Sequence, residues 1–222
     1  MKGGCNLRFF HKSIRYSEDM DLDIRTMSVT LRNNVERVLE APPFLQTLRA
    51  QRIEISQVSR PKQTETTQRW KLALRSAATG PEIPTKIEFS RRALEEGVVH
   101  EAVDPEFVRR YRLYPVLVQH YTARAALTQK IAALALRAQT QARDIFDLKL
   151  LLDAGVDRSA LPKKIASNLS RAIENAMSVG YDEFAGQVLA YLEPEYQDHY
   201  RARRVWEDLQ AQVVTALEGF QT

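Results

Sequence analysis

The chain has 222 residues, with 32 basic and 28 acidic side chains and a formal net charge of +4. Hydrophobic residues make up 44% and charged residues 27%, which excludes wholesale disorder or a low-complexity polymer and allows one large domain or two small ones. The lone cysteine, Cys5, excludes an internal disulfide and a Cys-rich zinc site; with no apolar run of about 18 residues and no apolar signal core after Met1, a cytoplasmic protein without a membrane span is expected.

In chain order, a short helix is predicted over 6–13, after Gly3-Gly4, with Leu7, Phe10 and Ile14 on one side. Asp19-Met20-Asp21-Leu22-Asp23-Ile24 alternates strictly, the period of a strand. A helical stretch from Val29 to Leu48 is interrupted at Pro42-Pro43. Strands follow at 52–55, 70–74 and 86–90, with the Gly and Pro of a turn in 77–84. A last short strand is predicted over 115–121. Helices are predicted over 123–138, over 142–154 with Gly155 as the stop, and over 159–178, 182–190 and 197–219, the last being the longest. The expectation is an α+β fold, 1–100, followed by a helical half, 101–222. Trp70 and Trp206 are expected in cores or interfaces.

Charge follows the same division. Residues 1–100 hold 17 basic and 12 acidic side chains, and 101–222 hold 15 and 16. The segment 49–92 alone holds ten basic and four acidic residues, among them Arg69, Lys71 and Arg75. Such an excess suits either a polyanion or a solvated sheet face. Tyr111, Tyr114 and Tyr121, interleaved with Arg109, Arg110 and Arg112, suit either base stacking or a partly packed junction. The four histidines show no ligand spacing.

The strand at 19–24 needs an explanation. Side chains alternate along a strand, so Asp19, Asp21 and Asp23 share one face while Met20, Leu22 and Ile24 share the other. Like charges this close repel, and aspartate is a poor strand former. A divalent cation would compensate, because hard Mg²⁺ takes carboxylate oxygens; an acidic edge that resists aggregation is the alternative. Glu88 on the strand at 86–90 and Glu54 on the strand at 52–55 have equal parity for a third carboxylate, and periodicity does not separate them. Gly3-Gly4 ahead of a helix offers backbone N–H groups to an anion.

The strings Lys2-Gly3-Gly4-Cys5-Asn6-Leu7-Arg8, Arg15-Tyr16-Ser17-Glu18-Asp19-Met20-Asp21-Leu22-Asp23, Lys86-Ile87-Glu88-Phe89-Ser90, Lys130–Leu134 with Arg137, and Arg143-Asp144-Ile145-Phe146-Asp147-Leu148 resemble the AbiEii/AbiGii toxin family, within the nucleotidyltransferase superfamily of DNA polymerase β-like folds. The likeness spans about residues 2–153. It implies a nucleotidyltransferase-like mixed sheet with helices. It implies that Asp19, Asp21 and Glu88 hold magnesium or manganese, that Gly3, Gly4, Cys5, Arg8 and Ser17 contact the nucleotide, and that Lys130 reaches the triphosphate. Asp147, with Asp144 and Arg143, would complete the site; at i, i+4, Arg143 can pair with Asp147. Two departures from the family pattern stand out: Cys5 replaces the usual Ser or Thr, and the family normally has a segment before Lys-Gly-Gly.

The implied chemistry is metal-dependent transfer of a nucleotide from an NTP to RNA, with the 3′ end of tRNA as acceptor, by a toxin restrained by a cognate antitoxin. The rivals are a catalytically impaired RNA- or protein-binding module of the same fold and an enzyme that transfers AMP to protein. The preferred nucleotide and the oligomeric state are not encoded in any motif.

Overall fold

The computed structural model describes residues 1–76, 80–91, 97–156 and 163–221. The chain divides into two compact units: Met1–Lys2 with Glu18–Leu94, and Gly3–Ser17 with Glu95–Thr222.

The first unit is a sheet with two helices. Its strands are β1 (Asp19–Asp23), β2 (Ile53–Gln63), β3 (Thr67–Ser76) and β4 (Glu82–Ser90), in the order β1-β4-β3-β2. β1 runs parallel to β4, and the other pairings are antiparallel. Alternation sorts the sheet into two faces. Trp70 and Leu72 on β3, with Ile87 and Phe89 on β4, enter a core completed by Leu31, Val35 and Leu39 of α2 (Ser28–Glu40) and Phe44 of α3 (Pro42–Ala50). The expected helix break lies at Ala41, which is extended (φ −67°, ψ 127°) because a residue before proline avoids the α region. β2 and β3 are longer than predicted. Two register shifts interrupt their pairing, and Pro61, which has no N–H to donate, sits in the second. Pro84, predicted in a turn, pairs with Ala73 inside β4; Gly80 at φ +71° precedes that strand, and 77–79 lie outside the described residues.

The second unit contains α1 (Gly3–Phe10), a hairpin of β5 (Val98–Ala102) and β6 (Leu117–Tyr121), α4 (Pro105–Arg110), and the helices α5 (Ala123–Leu136), α6 (Ala142–Asp153), α7 (Lys163–Ser178), α8 (Tyr181–Gln187), α9 (Pro194–Tyr200) and α10 (Arg203–Glu218). The α1 segment, placed by sequence with the α+β half, clusters here instead: Leu7 is in this core, and Asn6 Nδ2 donates to the Tyr121 carbonyl at 2.9 Å. α5 packs against both α6 and α7, so Leu127, Ile131 and Leu134 are fully buried. Trp206 of α10 stacks on Phe184 of α8, ring centroids 4.6 Å apart.

Three predictions on this unit are corrected. β5 was missed, because its residues are half-buried or exposed and carry little alternation. α4 was missed although Asp104-Pro105 signals a helix start; Asp104 Oδ1 accepts from the Glu106 N–H at 2.8 Å. The helix predicted over 197–219 is two helices. Ala202 is extended (φ −74°, ψ 124°), and the Tyr181 hydroxyl donates to the Arg201 carbonyl at the break. Of the helix predicted over 159–178, the part 159–162 lies outside the described residues.

Candidate active site

The carboxylates of the first unit lie on the sheet face opposite the Trp70 core. In the parallel pairing of β1 with β4, Asp21 is in register with Glu88 and Asp19 with Lys86. Glu54, equal to Glu88 in parity, lies on β2 at the other edge of the sheet, in register with Arg75. One row across the sheet therefore runs Asp21, Glu88, Arg69, Lys62, and the next runs Asp19, Lys86, Lys71, Ser59. The face is acidic on β1 and basic on β3.

Protein cations engage three of these acids. Arg69 directs Nε (2.7 Å) and its NH2 nitrogen (2.5 Å) to one oxygen of Glu88, Oε2. Lys86 Nζ lies 2.9 Å from Asp19 Oδ2, and Lys2 is paired with Asp23. The Asp21 carbonyl accepts from the Lys2 N–H at 2.9 Å, but its carboxylate has no hydrogen bond or ion pair among the described residues. Burial pushes its carboxyl above the usual range, and the neighbouring charges of Glu88 and Asp19 add to this, against relief from Lys86 and Lys2. A divalent cation is the chemical complement of such a group, and carboxylate oxygens are the donors magnesium prefers; the residues fit the ion in kind. As they stand, no three His, Cys, Asp or Glu side chains among the described residues are gathered into a metal cage, since Asp19 and Glu88 are held by Lys86 and Arg69.

The second unit holds a different cluster. Lys130 on α5 donates to Asp144 Oδ1 at 2.8 Å and to Asp147 Oδ2 at 2.5 Å. The i, i+3 spacing puts both aspartates on one side of α6. Arg15 grips Asp147 through Nε and NH2, at 3.0–3.3 Å. Arg137 approaches the second oxygen of Asp144 at 3.4 Å. Both aspartates are fully buried. Burial works against the charged form of Lys130, but Asp144 and Asp147 outweigh it and its pKa rises. Burial likewise opposes the Asp147 carboxylate, and Lys130 and Arg15 outweigh it, so its pKa falls. The Arg143–Asp147 pair that the spacing allows is not among the contacts formed, because Asp147 is taken by Lys130 and Arg15.

At the start of α1, Gly3 takes φ +67°, in the left-handed region that favours glycine. A Cβ on Gly4 would fall 2.5 Å from Ser17 Oγ and 2.9 Å from Ser17 Cβ, so only glycine fits there. Cys5 is buried. Arg8 is enclosed by partners: the Ser13 carbonyl, the Tyr111 hydroxyl at 3.0 Å, and Glu193, which also binds Arg110 at 2.9 Å. Tyr121 is buried while Tyr114 is 81% exposed. Sequence reasoning missed Glu193 as the partner of Arg8, and Arg15, Arg69 and Lys86 as partners of acids. Strand parity carried a signal for the last two. Nothing local announced Arg15, whose partner is 132 positions away.

The family model described as "Nucleotidyl transferase AbiEii toxin, Type IV TA system" matches residues 1–217. No curated protein matches the chain. Among solved structures, JHP933 from Helicobacter pylori is 18% identical, with 99% of this chain and 82% of that chain covered and a TM-score of 0.59. MenT4, a nucleotidyltransferase toxin from Mycobacterium tuberculosis H37Rv, is 15% identical, with 100% and 84% covered and a TM-score of 0.56. At these identities the likeness to the solved structures is one of fold.

Proposed function

The chain belongs to the AbiEii nucleotidyltransferase toxin family of toxin–antitoxin systems, and from that premise we propose that it transfers a nucleotide from an NTP to an RNA, the 3′ end of a tRNA, with magnesium or manganese held by Asp19, Asp21 and Glu88. The observation that carries this reading is the register of β1 on β4, which sets Asp21 beside Glu88 and leaves the half-buried Asp21 carboxylate without an ion pair of its own. When bound, the ion would neutralise charge that develops on the α-phosphate and on the leaving pyrophosphate.

The chain's own residues do the rest. The acceptor oxygen forms a bond to the α-phosphorus as the bridge to the β-phosphate breaks, and pyrophosphate leaves. The hydroxyl proton passes to the carboxylate of Glu88, which stands in register with Asp21. The basic residues Lys62, Arg69 and Lys71 of the same sheet offer charge to the RNA backbone. In the second unit, the Gly3-Gly4 turn and the α1 N-terminus present N–H groups suited to phosphate. The buried group of Lys130, Asp144 and Asp147, with Arg15, sets the geometry of α5 on α6 within the second unit. Both substrates belong to the cytoplasm, and no helix among the described residues is long and apolar enough to cross a membrane. The family points to an antitoxin as partner.

The test uses an NTP labelled at the α-phosphate, with RNA and protein acceptors present. Label entering tRNA is the expected result, and Asp19→Ala with Asp21→Ala should abolish it while the protein stays folded. Label entering protein instead would mean AMP transfer to side chains. No label in either would mean a binding module.

A further inference from the structure

Resting on the metal reading above, we infer that Arg69 and Lys86 are internal counter-ions that stand in for the divalent cation: they hold Glu88 and Asp19 until the ion binds, are exchanged for it, and so set its affinity. Three observations carry this. First, the acids that would take the ion are the acids these cations hold, Arg69 on Glu88 Oε2 and Lys86 on Asp19 Oδ2. Second, each cation is fixed by strand register directly opposite its acid, Arg69↔Glu88 and Asp19↔Lys86, so the pairs form without folding of any further segment. Third, the pairs are exchangeable: the side chains of Arg69 and Lys86 remain 32% and 25% exposed, so water can take over a released cation.

The exchange has a direction. Lys86 stands in register with Lys71 on its other side, a like-charge neighbour whose repulsion Asp19 offsets. Once a divalent ion takes the carboxylates, Arg69 and Lys86 are cations without acids on a face that already carries Lys71. That is a site for phosphate oxygens. Metal and polyphosphate should therefore bind cooperatively, the first freeing the side chains that hold the second. Arg69 and Lys86 are positioning residues in this scheme, acting on the ion through Glu88 and Asp19.

Manganese binding to the full chain, read from the loss of the free-ion paramagnetic resonance signal, tests this without any turnover. Arg69→Gln and Lys86→Gln should each bind Mn²⁺ roughly three- to fivefold more tightly than the unaltered chain, the range expected for loss of a partly exposed ion pair. Lys71→Gln, which removes an equal charge from the same face but breaks no pair with an acid of the site, should change the affinity less than twofold, a change of under about 0.4 kcal/mol. The gain from Arg69→Gln should vanish when Glu88→Gln is also present. Arg69→Lys, which keeps the charge and loses the paired donors, gives a second variant should the glutamine change impair folding; it should fall between the two. Manganese affinity unchanged or weakened in both Arg69→Gln and Lys86→Gln would overturn the inference while leaving the metal reading in place, and so would a Lys71→Gln effect as large as theirs. Absence of any Mn²⁺ binding at millimolar concentration in every variant would overturn the metal reading together with it.

Discussion

Acids and bases meet in both units, on opposite terms. On the β1–β4 face, aspartates and glutamate crowd together, the pairs with Arg69 and Lys86 are partly exposed, and the Asp21 carboxylate is left unpaired. In the α5–α6 cluster, Lys130 and Arg15 balance Asp144 and Asp147, and the aspartates have no exposed surface. In a balanced, dry cluster the charges are satisfied within the fold, and its worth lies in every member being present. A half-wet one with an unpaired carboxylate keeps oxygens open to water and to ligands. The pKa directions carry the same contrast: down for Asp147 and up for Asp21, though burial is the largest influence on both.

The sharpest way to break this contrast is to remove Lys130. Lys130→Ala leaves two buried aspartates with one close guanidinium pair, and breaking a buried pair from one side costs about 3–5 kcal/mol. Urea denaturation of the second unit's helical signal should show that loss. The pH dependence follows from the signs. Asp147 has a lowered pKa, so its contribution is full above the unfolded value of about 3.9 and is lost as pH falls below that toward the folded value. Lys130 has a raised pKa, so its contribution is full below about 10.4 and is lost as pH rises through the higher folded value. If Lys130→Ala were as stable as the unaltered chain, the ammonium would be available to a ligand and the cluster would not be the closed device described here.

Much of this was legible from one dimension, and the gaps have physical causes. The alternation of Asp19, Asp21 and Asp23 against Met20, Leu22 and Ile24 marks β1 without any tertiary information. Glu88 and Glu54 could not be told apart by parity, because which strand neighbours β1 is a matter of sheet order. Arg15 is invisible as a partner for Asp147 because a salt bridge between residues 132 positions apart leaves no periodic trace. The reverse error occurred at Arg143, where local spacing offers a pair that tertiary packing outbids. The α9–α10 break is likewise set by a distant group, the Tyr181 hydroxyl on the Arg201 carbonyl.

Gly4→Ala is the next largest effect, and it probes packing rather than charge. The new Cβ would meet Ser17 Oγ at 2.5 Å and Ser17 Cβ at 2.9 Å, so either the α1 start or Ser17 must shift. Overpacking of this kind costs about 1–3 kcal/mol. Combining it with Ser17→Gly removes both offending atoms and should return most of the loss in thermal unfolding, whereas Ser17→Ala, which keeps the Cβ, should return less. Full stability of Gly4→Ala alone would show that the glycine is not required by space, and would leave anion contact as its main reason.

The smallest expected effect is the most telling for the contrast, because its sign is unusual. Asp21→Asn should stabilise the protein. A carboxyl whose pKa is raised on folding binds its proton more tightly in the folded chain, so at neutral pH its ionised form opposes folding, and the opposition fades as pH falls through the folded value toward about 3.9. Neutralising it relieves the like-charge contact with Glu88, its cross-strand register partner, a relief of roughly 0.2–1 kcal/mol. The gain should be present at pH 7 and shrink toward pH 4, in the opposite sense to the acid loss traced to Asp147. It should also disappear when Mn²⁺ is added, because the ion stabilises only the chain that keeps the carboxylate. Destabilisation by Asp21→Asn in the absence of metal would mean that the carboxylate is already satisfied by the fold, and the β1–β4 face would then be a structural device of the same kind as the α5–α6 cluster.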